Sequence, residues 1–104
     1  MGWFSNDSHQ AGAYDQVVNA PHKATLSHEV IAAAASYEAM KAYENHCARN
    51  GQPSSHAKAK ELLAGFAGLF VDRIVETKGL DYIDRSKAKH HANEHLHHAS
   101  ASDY

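Results

Sequence analysis

Residues 90–98 read HHANEHLHH, which puts five of the chain's ten histidines and one glutamate into nine positions. Residues of these types at this density are suited to metal ligation, metal-assisted hydrolysis or haem binding. On a helix, His91, His95 and His98 fall at i, i+4 and i+7 with Glu94 beside them, so four donors lie within about 100° of one face. Neutral imidazole suits zinc, nickel and copper(II), and two histidines one turn apart form a weak chelate. His90 and His97 project elsewhere. The candidate ligand set is therefore His91, His95 and His98 with Glu94.

Two catalytic readings start from the same residues. His91 to His95 spells H-x-x-E-H, the pattern in which two histidines hold zinc and the glutamate serves as base. That chemistry also needs a further ligand, a buried site and a substrate cleft, and this helix offers few apolar residues to hold it against a core. Glu94 and His97 make one Glu-x-x-His pair, but a di-iron bundle needs two such pairs and two more inward glutamates. No other glutamate here has a histidine three residues on. The expectation is a solvated, partly frayed helix end whose protonated histidines favour the C-terminal pole of the helix dipole. Binding of zinc, copper, nickel or haem is the alternative, and no enzyme is expected.

Elsewhere the chemistry is sparse. Asp72, Arg73 and Glu76 interrupt an apolar run and read as a solvent-facing or subunit-facing charge group, with Arg73 paired to a carboxylate on a neighbouring element. Cys47 follows His46, but consecutive helical residues point about 100° apart, so they form no thiolate and base pair. Cys47 instead reads as a small core residue. "HEVIA" at residues 28–32 lacks the second histidine of H-E-x-x-H. "AGFAG" lies inside a helix, as a packing device and not a phosphate loop.

The elements that must position these residues are helices. Ala11, Tyr14, Val17 and Val18 fall at helical spacing behind Trp3 and Phe4, which predicts a short helix with an aromatic lead-in that docks on the rest. From about Thr25 to Asn50, Leu26, Val30, Ala33, Tyr37, Met40 and Cys47 form a heptad seam on a helix about 36 Å long. Gly51 is placed for a left-handed cap, Pro53 cannot continue the helix, and Ser54 or Ser55 can cap the next. A second long helix over about 55–78 carries large apolar residues around most of its circumference, which predicts that it is central. Its small residues Ala64, Gly65 and Gly68 would meet Ala32 to Ala35 of the first at close range. Gly79 ends it, and Asp81 is the expected cap of a third helix containing the histidines. No strand-like alternation or hairpin turn occurs.

The expected fold is thus all-α: an antiparallel long-helix hairpin over 25–78, a short N-terminal helix within a docking segment 1–20, a third helix over 81–98 and a frayed tail at 99–104. A chain of 104 residues, 43% hydrophobic but rich in alanine, makes one domain with a modest core. A homodimer is therefore expected, with Trp3, Phe4, Tyr37, Met40, Tyr43, Gly65 and Gly68 as packing and interface residues. Twelve acidic against ten basic residues give a formal charge of −2, which leaves no electrostatic footprint for nucleic acid or an anionic membrane. The apolar runs are too short for a membrane span. The N-terminus lacks the blocks of a signal peptide, and the lone Cys47 suits a reducing compartment, so a cytoplasmic location is expected.

The words MGWFS, NAPHKA, LSHE, YEAMKAYE, NGQP, SHAKAKELLAGFAG, VDRIVETKGLD and IDRSKAKHHA, in this order, resemble the fungal CipC-like proteins, named for concanamycin-induced protein C. The resemblance runs from Gly2 to about Ala92 and weakens in the histidine-rich tail. It implies a small intracellular fungal protein of stress and antibiotic response. It carries no catalytic residue over to this chain.

Overall fold

A computed structural model describes residues 9–23 and 25–100, with side chains through His97. Trp3, Phe4, the side chain of His98 and residues 101–104 of the expected tail lie outside the described residues. The described chain is all-helical: α1 His9–Val18, α2 His28–Asn50, α3 His56–Lys78 and α4 Arg85–Ser100.

Local chemistry sets the helix ends. Ser27 is extended and its hydroxyl accepts from the Val30 N–H at 3.0 Å, while Ser55 does the same for the Lys58 N–H at 3.2 Å. Each satisfies one orphan donor of a first turn. Gly79 closes α3 in the left-handed conformation, and the Leu80 N–H reaches back to the Val75 carbonyl at 3.0 Å. A side chain at Gly79 would come within 2.8 Å of the tip of the exposed His22 ring, which can swing aside, so it is the positive φ that calls for glycine. Gly51 also has positive φ, but its ψ of 173° is extended and not the left-handed cap expected from the sequence. The third predicted helix begins at Arg85, four residues later than its expected start. The Ile83 N–H bonds the Leu80 carbonyl in a turn, and Asp84 in place of Asp81 accepts from the Lys87 N–H at 3.1 Å.

The helix at the centre is α2, not the more apolar α3. Ala32, Ala33, Ala34, Ala35 and Ser36 are consecutive and fully buried, and five residues at 100° steps cover the whole circumference. α1, α3 and α4 all pack on α2, and α4 also packs on α3. The physical reason is side-chain size. A helix that must touch three others within one stretch does so best with methyl groups, because bulky residues would hold the axes apart. Each methyl contributes little by area, so this core relies on dense van der Waals contact. Ser36 is tolerated because its hydroxyl donates to the Ala33 carbonyl at 2.7 Å. Contacts between α2 and α3 pair Glu38 with Arg73 and His46 with Phe66, while the start of α2 lies by the end of α3.

Two connections interlock at that end. The Lys23 N–H donates to the Lys78 carbonyl, and the Lys78 ammonium donates to the Val18 and Ala20 carbonyls. The Tyr82 hydroxyl accepts from the Leu26 N–H at 2.6 Å and donates to the Leu26 carbonyl at 3.0 Å. His28 Nε2 accepts from the Asp84 N–H at 2.9 Å. These bonds tie the segment before α2 to the end of α3 and to the segment before α4.

Candidate functional site

The histidine-rich helix is not a solvated end. Ile83, Ala88, Ala92 and Leu96 are buried, an apolar seam at steps of five, four and four in which two members are alanines. Small residues gave this seam little weight in the sequence, yet they let α4 lie close against α2 and α3. His95 is consequently only 17% exposed and His91 34%.

Both rings meet one carboxylate. Glu29, in the first turn of α2, stands 3.1 Å from His95 Nε2 through one oxygen and 3.6 Å from His91 Nδ1 through the other. On the far side of the His95 ring, Nδ1 lies 3.0 Å from the Gln10 side-chain nitrogen on α1. With Nε2 as the donor the ring satisfies both contacts, since the amide donates to Nδ1 and Nε2–H donates to Glu29. Three helices are joined by this clasp. Partial burial alone would raise the Glu29 carboxyl, but hydrogen bonds and charge from His95 and then His91 outweigh it and hold it below the usual glutamate value. The N-terminal pole of α2 favours the same charged state.

A carboxyl whose pKa is depressed on folding contributes stability above its unfolded value and loses it as pH falls through the folded value. Glu29→Gln should therefore cost stability at neutral pH and converge with the parent chain in acid, below the folded Glu29 value. The difference should stay below about 1 kcal/mol, because solvent screens a pair this exposed. Urea midpoints measured from neutral to acid pH, with the gap constant throughout, would contradict the clasp.

On the α3 side of α4, Asp72 gathers two cations. Arg85 lies 3.2 Å from Asp72 and 3.2 Å from Glu76, and Lys89 lies 3.1 Å from Asp72. Burial would raise the Asp72 carboxyl, but Lys89 and Arg85 hold it below its usual value. The group ties the first turns of α4 to α3. Arg73 points elsewhere and pairs with Glu38 at 3.9 Å.

Of the four expected ligands, His91 and His95 come together, but on Glu29 and not on Glu94. Glu94 instead lies 3.8 Å from His90. Among the described residues, no group of three or more His, Cys, Asp or Glu side chains is placed to hold a metal ion. Met40 and Tyr43 are buried within the subunit, and the Tyr37 ring meets Tyr14 of α1 in a tilted contact at 5.3 Å. Tyr37 itself is only partly buried. Gly68 faces Lys89 of α4, whereas Gly65 is exposed.

Glu29 and Gln10 had no signal in the sequence as partners of the histidines, because they lie 66 and 85 residues from His95. An open groove of about 280 Å³ runs between α3 and α4, lined by Lys60, Leu63, Ala64, Asn93, Leu96 and His97. It falls below the ~300–1,000 Å³ of enclosed small-molecule sites. No helix among the described residues is long and apolar enough to cross a membrane.

Comparison with known proteins closes the description. The model of the family described as virulence factor CipC-like matches residues 13–103. No curated protein and no solved structure matches the chain.

Proposed function

The chain belongs to the CipC-like family, and on that footing we propose that it is a non-enzymatic, stress-responsive fungal protein that acts by binding or self-assembly. It is a cytoplasmic homodimer built on an antiparallel hairpin of α2 and α3. The observation that carries this reading is Leu69, 68% exposed in the middle of α3. A leucine so exposed on a long, well-capped helix is a candidate contact point, and Leu62 and Phe66 on the same side are partly buried against the core.

A second reading has one observation in its favour. His91 and His95 already share a carboxylate, so a transition metal such as zinc, copper or nickel could displace the hydrogen bonds and use the same donors. A haem would use one ring as axial ligand. Native mass spectrometry of untagged protein, purified without metal-affinity resin, separates the two. An apo dimer is the expected result. A monomer carrying a stoichiometric metal or haem mass, lost on replacing His91 and His95, would replace the first reading with the second.

A further inference from the structure

Resting on the self-assembly reading, we infer that the outer face of α3 is the dimer surface, and that two copies meet there antiparallel with Leu69 of each seated over Gly65 of the other. Lys58, Leu62, Gly65, Leu69, Arg73 and Glu76 recur at steps of four, three, four, four and three, which is one face of a helix. α2 and α4 cover the other sides of α3, and all six residues except the half-buried Leu62 are exposed.

Gly65 has no role inside the chain. A methyl group built on it meets nothing within 4 Å, and its φ is not positive. Glycine in a helix interior costs about 0.5–1 kcal/mol relative to alanine, so the fold alone would be better served by alanine here. A glycine beside an exposed leucine supplies what neither has within one subunit, a hollow and a knob of matching size.

Charge selects the orientation. A two-fold axis at the level of Ala67 places each residue opposite the one equally far beyond it on the other copy. Gly65 then faces Leu69, Glu61 faces Arg73, and Lys58 faces Glu76, which already pairs with Arg85 of its own chain, each pair occurring twice. A parallel arrangement would oppose Lys58 to Lys58, Glu61 to Glu61 and Arg73 to Arg73, which is repulsive throughout. Lys58 and Glu61 make no side-chain hydrogen bond or ion pair among the described residues. Arg73 is 63% exposed at the outer limit of its pairing with Glu38. A single helix face of this length lies at the small end of specific interfaces, below ~1,200 Å², so association falls in the micromolar range.

Sedimentation of the full chain across micromolar concentrations tests this, with far-UV circular dichroism confirming that each variant stays helical. Leu69→Asp, on an exposed position, should raise the dissociation constant by about a hundredfold. Glu61→Arg sets two like-charge pairs in the interface and should weaken it by about tenfold. Adding Arg73→Glu to Glu61→Arg should restore the parent affinity. If the parent chain dimerises and neither Leu69→Asp nor Glu61→Arg affects it, another surface forms the dimer and this inference falls while self-assembly stands. If both weaken it but the double swap does not recover, the antiparallel register is wrong. A parent chain that stays monomeric throughout overturns the self-assembly reading itself.

Discussion

Ala34→Leu should lower the folding stability by about 3 kcal/mol, read as a fall in urea midpoint at unchanged slope. Ala34 lies within the fully buried run at the centre of α2. Three extra carbons there cannot be absorbed by one neighbour moving, because the run is buried on every side and α1, α3 and α4 all pack on α2. A domain of this size holds roughly 5–15 kcal/mol in all, so the change consumes a large part of it. Ala48→Leu, at an exposed position on the same helix, should stay within about 0.5 kcal/mol. Equal effects at the two positions would show that helix propensity, and not three-way packing, limits α2.

Leu80→Ala should cost about the same, on the order of 3 kcal/mol. Leu80 is fully buried directly after the Gly79 cap, and it belongs to the same core cluster as Val17, Leu26, Val75 and Ile83. Truncation leaves a cavity at the corner where α3 hands over to α4, and the hydrogen bonds from Leu80 N–H to Val75 and from Ile83 N–H to the Leu80 carbonyl hold its backbone in place. A backbone fixed in this way cannot collapse to fill the void. Thermal or urea unfolding with less than about 1 kcal/mol of loss would mean that the corner relaxes freely.

What could be read in the sequence followed chemistry that acts within a few residues. Ser55, Gly79 and the long helices were legible because caps and hydrophobic periodicity are local signals. The centre was assigned to the wrong helix for a related reason. Leu62, Leu63, Phe66, Leu69 and Phe70 outweigh a run of alanines on any scale of hydrophobicity, yet Leu69 ends up exposed and the alanines buried. Three-helix proximity rewards small size, and periodicity does not see it. The same blindness hid Ala88 and Ala92 and made α4 read as a tail. Within the site, the spacing of His91 and His95 was correct as a shared face, but the carboxylate that face meets comes from the first turn of α2. No local rule links Glu29 to residues more than sixty positions away.

The interlocked connections carry a kinetic consequence. Leu26 and Tyr82 are separated by 56 residues, and closing a loop of that length has to be repaid by contacts already in place. The order of events that this favours is helix pairing first and the corner last. Bonds made after the transition state slow unfolding without speeding folding. The two short loops would then act as a brake on escape from the native state, giving a small alanine-cored chain a lifetime longer than its equilibrium stability alone would suggest.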